Sequence, residues 1–178
     1  MSNPSDFHYP IRVYPTGNTV VFLDVDDFPI PKHLDPQTIR QKIKRALENR
    51  GYLGDVSVRL YGDKNTLPGK YSMDKYADAG IEICLVPEGE GVMYTGGTLM
   101  LMDSYQWSLN NPGESNLMLL SKKIKHVDVC GMPLLTFLNM NGSSVLLGEP
   151  LSEIRLPSES ADWIWKSLSD CGTSCLQS

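Results

Sequence analysis

The stretch NTVVFLDVDDFPIP, residues 18–31, determines how the fold of this chain is interpreted. Its first part, Thr19–Val25, is rich in β-branched residues and almost continuously apolar, which is typical of a strand buried on both faces of a parallel sheet. Three carboxylates lie at the end of this strand: Asp24, Asp26 and Asp27. Like charges at a strand end are electrostatically costly, and a metal ion or a phosphate-transfer role commonly offsets this cost. An acidic loop whose Asp side chains cap turns is the alternative explanation.

Outward from this stretch, short apolar runs alternate with helical patterns. The first helical pattern has Asp35 as an N-cap, Pro36 in its first turn and Gly51 as a stop signal. Further strands are predicted at 56–62, 81–87, 116–121 and 143–149, and further helices at 72–80, 98–111, 133–142 and 159–168. This alternation favours parallel pairing, because a crossover helix is the short return to the same edge of a sheet. The sequence therefore predicts an α/β three-layer sandwich, a mostly parallel sheet with helices on both faces.

The composition fits a single folded domain. The chain has 178 residues, of which 41% are hydrophobic, and a net charge of −5, so it has enough apolar surface to form a core. We expect an extended N-terminal arm at 1–17, one domain at 18–170 and a polar C-terminal tail at 171–178. The pI of about 5.1 argues against a basic face that grips duplex nucleic acid, but a nuclease with an acidic metal site remains compatible with it.

The sequence lacks the signals for a membrane span, a dinucleotide cofactor and secretion. The chain has no apolar run of about 18 residues, so we expect no membrane span. No G-x-G-x-x-G motif follows a strand, so we expect no dinucleotide cofactor. The first residues, MSNPSDFHYP, lack the basic and apolar regions of a secretory signal. Cytoplasmic or nuclear localisation is therefore expected.

Two chemistries fit the carboxylates after the first strand. In a dehalogenase-type phosphatase, Asp24 would attack phosphorus and Asp26 would act as general acid and base. Phe28 stands where that motif requires Thr or Val, and no later strand ends in the paired acidic residues that hold magnesium in such enzymes. In a PIN-like nuclease, acidic residues from several strand ends hold one or two magnesium ions that activate water against a phosphodiester.

The order of the motifs resembles the NYN domain, a PIN-like ribonuclease family. Residues 24–31, DVDDFPIP, and 56–63, VSVRLYGD, are similar to two family motifs, and GIEICLVPEG and LMDSYQWSLNNPGESNLMLLS are similar to the following segments. The resemblance spans roughly residues 18–169. It looks closest to the plant members related to the meiosis regulator and mRNA stability factor (limkain-type), and it implies a PIN-like fold and a role in RNA metabolism.

The resemblance also implies a set of site residues. Asp24 and Asp103 match two metal-binding carboxylates for magnesium or manganese, with Asp26 and Asp27 in support. Gly97 stands where the family has another carboxylate. After the fourth strand, the family has two acidic positions. An alignment without a gap places Lys123 and Lys125 there, whereas an insertion places Asp128 at the first, and the downstream spacing favours the insertion.

Two functions follow from these departures. The first is an NYN domain whose partly degraded metal site leaves cleavage weak or lost, and which binds single-stranded RNA, a protein partner, or both. The second is an active magnesium- or manganese-dependent endoribonuclease that uses Asp24, Asp103 and Asp128. A set of basic side chains would contact RNA phosphates, although a solvated helix face also explains those on the first helix: Arg40, Lys44, Lys122, Lys123 and Lys125.

Overall fold

A single parallel sheet organises the protein. The computed structural model describes residues 13–87, 96–124, 134–148 and 160–170. Within them, the strands and helices follow in the order β1 (Asn18–Asp24), α1 (Pro36–Asn49), β2 (Val56–Gly62), α2 (Met73–Asp78), β3 (Ile81–Leu85), α3 (Gly96–Asn110), β4 (Ser115–Leu120), α4 (Leu134–Met140), β5 (Ser143–Leu147) and α5 (Asp162–Ser169). The strand order is β3-β2-β1-β4-β5, and every described pair is parallel. The predicted α/β sandwich is therefore confirmed.

The first strand lies at the centre of the sheet. Leu23 pairs with Leu60 of β2 on one side and with Leu120 of β4 on the other. The chain builds outward from β1 to β3, then returns across the sheet to place β4 on the free side of β1. The carboxyl ends of β1 and β4 flank this reversal, which is where open α/β sheets bind their ligands.

The sheet is covered on both faces because side chains of a strand alternate between them. Val21 and Leu23 belong to one apolar cluster, which includes residues of α1, α2 and α5. Val20 and Phe22 belong to the other, which includes residues of α3 and α4. The helices that follow β1 and β2 thus lie on one face of the sheet, and those that follow β3 and β4 lie on the opposite face. Crossovers of the same hand require this change of face, because the chain moves across the sheet in the opposite direction after β3.

Local signals account for several element boundaries. The Asp35 carboxylate accepts a hydrogen bond from the Thr38 N–H at 2.7 Å, which caps α1, and Pro36 occupies its first turn. Gly51 follows the helix with a φ of 89°, a conformation that glycine adopts readily. By contrast, α3 begins at Gly96, two residues before the predicted start, because its first turn is built from glycines that carry no helix signal.

The end of the predicted N-terminal arm is fixed to the sheet by one buried amide. The Asn116 side chain accepts a hydrogen bond from the Tyr14 N–H at 3.0 Å and donates to the Tyr14 carbonyl at 2.9 Å. It also donates to the Thr19 hydroxyl at 3.1 Å. The rest of the predicted arm, residues 1–12, and the predicted tail, 171–178, lie outside the described residues. None of the helices in the described ranges has the length and apolar character needed to cross a bilayer.

Candidate functional site

Asp24 is the buried centre of a cluster at the carboxyl end of β1. It is the last residue of the strand, is 1% exposed and points to the face that α3 covers. Its Oδ1 accepts a hydrogen bond from the Asp26 N–H at 3.0 Å. Its Oδ2 lies 3.1 Å from Lys123 Nζ and 3.4 Å from Ser121 Oγ. Both carboxylate oxygens of the first predicted metal ligand are therefore engaged by groups of the protein.

Ser121 joins the loop after β1 to the segment after β4. Asp27 Oδ2 accepts from the Ser121 hydroxyl at 3.2 Å and from the Lys122 N–H at 2.8 Å. Since a serine hydroxyl carries one proton, it donates to either Asp24 or Asp27 at a given moment, and the contact to Asp27 is the shorter. The Ser121 oxygen in turn accepts from the Lys123 N–H at 3.1 Å. These bonds hold residue 123 in position above the end of β1.

The Lys123 ammonium lies among the three aspartates that follow the first strand. Besides its contact with Asp24, its Nζ lies 4.0 Å from Asp26 Oδ2 and 3.9 Å from Asp27 Oδ1. Partial burial opposes its charge, but the hydrogen bond to Asp24 and the surrounding carboxylates outweigh this and raise the pKa of Lys123. Burial raises the pKa of Asp26, and the charge of Asp24 adds to the rise. One ammonium therefore compensates several carboxylates.

The first turn of α3 provides the space for this lysine. A Cβ at Gly97 would lie 2.7 Å from the Lys123 Cβ and 3.0 Å from the Lys123 carbonyl oxygen. A Cβ at Gly96 would lie 3.4 Å from Asp24 Oδ2. The predicted loss of a carboxylate at position 97 thus coincides with the close passage of Lys123.

Asp103, the second predicted metal ligand, is bound to a tyrosine. Its Oδ2 accepts a hydrogen bond from the Tyr61 hydroxyl at 2.6 Å, and Tyr61 pairs with Asp24 in the β1–β2 register. Burial, reinforced by this hydrogen bond, raises the pKa of Tyr61 far above its ordinary value. Burial also raises the pKa of the nearby Cys84 thiol to about 11. At neutral pH neither the phenol nor the thiol supplies a base or a nucleophile.

The other predicted site residues are distributed as follows. Asp128 and Lys125 lie outside the described residues. Lys122 is exposed, and its Nζ lies 5.9 Å from the Phe28 ring centroid, beside the cluster. Arg40 is half-buried on α1, where its Nε would lie 3.3 Å from a Cβ at Gly80. Lys44 is exposed on the same helix and lies 3.9 Å from Glu48. Of the five basic residues predicted to contact RNA, Lys122 and Lys123 lie beside the carboxylates of the cluster.

Sequence reasoning gave no role to Tyr61 or Ser121 in this cluster. The bonds of Ser121 to Asp24 and Asp27 depend on the pairing of β1 with β4. Tyr61 stood inside the VSVRLYGD motif, and an aromatic hydroxyl at an inward-facing strand end is a usable signal for a buried hydrogen bond. Both residues support the carboxylates rather than present a reactive group.

The described donors do not fit a magnesium site. Among the residues that the structure describes, no group of three or more His, Cys, Asp or Glu side chains is arranged to hold a metal ion. Magnesium requires a near-octahedral shell of oxygens, yet Asp24 faces an ammonium, Asp103 is bonded to Tyr61 and position 97 is glycine. A cation at Asp24 would have to displace Lys123.

The parallel sheet, its reversal beside β1 and the strand-end carboxylates define a PIN-like α/β domain. The NYN domain family matches residues 18–159, most of the chain, and the protein belongs to this family. NYN domains form a PIN-like RNA nuclease family, so the match supports the nuclease-family interpretation over the dehalogenase-type phosphatase. None of the curated proteins compared with this chain matches it.

Proposed function

We propose that this protein is an NYN domain of RNA metabolism in which a lysine replaces the catalytic metal ion, so that RNA cleavage is weak or lost. The observation that carries the proposal is the 3.1 Å contact between Lys123 Nζ and Asp24 Oδ2. Gly97 supports it, because a carboxylate-bearing side chain at that position would collide with Lys123.

The substitution of an ammonium for a metal ion changes the available chemistry. A magnesium ion holds a water molecule, lowers its pKa and stabilises the charge that develops during phosphodiester hydrolysis. An ammonium donates hydrogen bonds but has no coordination position for a water. Lys123 thus neutralises part of the carboxylate charge without generating a nucleophile. The remaining role of the domain is to bind single-stranded RNA, a protein partner, or both.

Finer assignments belong to the same proposal. The likeness to plant limkain-type members supports a role in RNA regulation, and we propose that the protein acts in the cytoplasm or nucleus. The domain comprises residues 18–170, with an arm at 1–17 and a tail at 171–178. Magnesium or manganese would matter only to an active form, in which Asp128 joins Asp24 and Asp103. Support for the inactive form comes from the ammonium already bound to Asp24.

The test is an RNA cleavage and binding assay on the purified full chain. Labelled single-stranded RNA is incubated with manganese, and binding is measured over a series of salt concentrations. We expect intact RNA together with salt-sensitive binding, because phosphate contacts release counterions. The Asp24→Ala variant controls for contaminating nucleases. Manganese-dependent cleavage by the wild type that disappears in Asp24→Ala would overturn the proposal and establish an active endoribonuclease.

A further inference from the structure

A second concave site lies on the other side of β1 from the carboxylate cluster. It is a cavity of about 430 Å³ between the loop after β1 and the loop after β2, with α2 at its side. This volume lies in the range of roughly 300–1,000 Å³ that small-molecule sites occupy. Its floor consists of buried apolar and aromatic side chains: Val25, Leu34, Leu67 and Tyr76.

The rim of this cavity is positively charged. Lys32 and Lys70 line it, and its described lining includes no aspartate or glutamate. Both lysines are exposed, and neither has a carboxylate within 4.0 Å among the described residues. The lining therefore combines an apolar interior with two ammonium groups at the mouth, which suits a ligand with an apolar body and an anionic group.

Tyr71 gives the wall an aromatic surface of defined orientation. Its ring contacts the Tyr76 ring edge-on, with centroids 6.4 Å apart. Lys70 Nζ lies 5.0 Å from the Tyr71 ring centroid and Lys75 Nζ lies 5.7 Å from it. Such cation–π contacts hold the ammonium groups near the wall. An aromatic ring beside cations is the combination by which proteins bind a nucleobase and its phosphate.

The cavity adjoins the carboxylate cluster through consecutive residues. Asp24 faces α3, whereas Val25 belongs to the apolar cluster on the opposite face and lines the cavity. Both features thus lie at the carboxyl end of β1, where ligands of open α/β sheets bind. A nucleic acid strand that crosses this end of the sheet would pass both features.

We infer that this cavity binds one nucleotide unit, with the base against Tyr71 and the apolar floor and the phosphate at Lys32 and Lys70. This inference rests on the proposed role in RNA metabolism for its choice of ligand. A free nucleoside monophosphate and one nucleotide of an RNA strand present the same chemistry, so both are ligands of the site.

The experiment measures binding of adenosine 5′-monophosphate and uridine 5′-monophosphate to the full chain by titration calorimetry. Adenosine, which lacks the phosphate, and ribose 5-phosphate, which lacks the base, are the comparison ligands. We expect each to bind at least fivefold more weakly than the mononucleotides, because each reaches only half of the site. Equal affinity of ribose 5-phosphate would overturn the inference, since it would indicate a phosphate contact without a base pocket.

Substitutions in the cavity wall test whether the mononucleotides bind there. Tyr71→Ala and Lys70→Ala are expected to weaken mononucleotide binding at least fivefold, whereas Lys166→Ala, an exposed lysine on α5, is expected to change it less than twofold. Circular dichroism and thermal melting verify that each variant folds. If Tyr71→Ala fails to fold, Lys70→Ala still tests the inference, because Lys70 is exposed. Undiminished binding in the folded variants would overturn the inference.

RNA oligonucleotides separate this inference from the proposed function. If wild type binds RNA and the cavity variants bind it equally well, and mononucleotides do not bind, the cavity inference fails and the proposed function stands. If mononucleotides bind in the cavity and RNA is not bound, the cavity inference stands as a free-nucleotide site and the RNA-binding role fails. Weakened binding of both ligands by Tyr71→Ala and Lys70→Ala supports the two together.

Discussion

Gly97 and Lys123 approach so closely that a Cβ on the glycine would lie 2.7 Å from the Cβ of the lysine. Position 97 lies in the first turn of α3, and position 123 follows β4. The absence of a side chain at the first allows the second to reach Asp24. Gly97 and Lys123 are thus structurally linked, since the lysine occupies space that a carboxylate-bearing residue at position 97 would need.

The Lys123→Met variant tests the ion pair. Removal of the ammonium leaves the 1% exposed Asp24 without its cation. We expect a loss of about 1–3 kcal/mol in the free energy of unfolding at neutral pH, below the ~3–5 kcal/mol of a fully buried pair because the Lys123 side chain is 40% exposed. Urea denaturation measures it, and Lys122→Met is the matched control. A loss no larger than that of Lys122→Met would contradict the pairing.

The alkaline pH dependence of this stability follows from the raised pKa of Lys123. The ammonium is favoured in the folded state, so its contribution is complete below the ordinary value of 10.5 and is lost as pH rises through the folded-state pKa. The stability difference between wild type and Lys123→Met should therefore narrow above about pH 10.5. Urea denaturation at pH 8, 10 and 11 measures the difference, and a constant difference across that range would count against the assignment.

Two neighbouring glycine variants test the close approach at α3. Alanine favours a helix by ~1 kcal/mol over glycine. At Gly96, where the nearest atoms to a new Cβ are 3.3 and 3.4 Å away, we expect Gly96→Ala to be close to neutral. At Gly97 the collision with Lys123, which typically costs ~1–3 kcal/mol, should outweigh that gain. Chemical denaturation compares the two variants, and equal stabilities would show that the segment after β4 shifts freely.

Asp26→Asn tests the like-charge repulsion in the cluster. The pKa of Asp26 is raised from 3.8 by burial first and by Asp24 second, so its ionised form is disfavoured in the folded state. Its cost is therefore absent below about pH 3.8, where the carboxyl is protonated in both states, and grows as pH rises through the folded-state pKa. We expect the variant to melt higher than wild type at pH 7, with the advantage disappearing at pH 3. A lower melting temperature at pH 7 would mean that attraction to Lys123 dominates.

Manganese should distinguish wild type from a variant without the ammonium. Ligand binding to the folded state raises the melting temperature. We expect manganese at about 1 mM to leave the wild-type melting temperature unchanged. The same concentration should raise the melting temperature of Lys123→Ala, because the Asp24 oxygen is no longer bound to an ammonium in that variant. The Asp24→Asn/Lys123→Ala double variant should not respond. A shift of equal size in wild type would show that the ion displaces Lys123.

Asn116→Ala tests the bond between the sheet and residue 14. The amide is 1% exposed, and it exchanges two hydrogen bonds with the Tyr14 backbone. Its loss should cost about 1–3 kcal/mol, as expected when buried backbone groups lose their partners. Hydrogen exchange at Tyr14 should accelerate in the variant. Asn18→Ala, which removes an exposed 3.4 Å bond to Asn111, is the control and should have a smaller effect.

The sheet could be predicted because its strands carry strong local signals. The segment around Val21 is apolar and β-branched, and the Asp35-Pro36 pair marks the start of α1, so the strand–helix order followed directly. The cluster could be predicted only in part. Asp24 was identified by its place at a strand end, but the partner of its charge is 99 residues away and becomes adjacent only through the β1–β4 pairing.

Two features of the site could not be predicted from local sequence patterns. Sequence spacing left two alternatives after the fourth strand, and the structure places Lys123 beside Asp24 while Asp128 lies outside the described residues. The bond between Tyr61 and Asp103 depends on the packing of α3 over β2. A helix with little amphipathic pattern, such as GGTLMLMDSYQWSLN, gives no indication of which side chains face the sheet.

A tethered ammonium differs from a dissolved cation in one further respect. Lys123 is present in a fixed one-to-one ratio with Asp24, and no chelator can remove it. The positive charge that Lys123 places beside Asp24 is consequently independent of the supply of divalent ions in the surroundings. In the described part of this fold, the counterion of Asp24 is a covalent part of the chain itself.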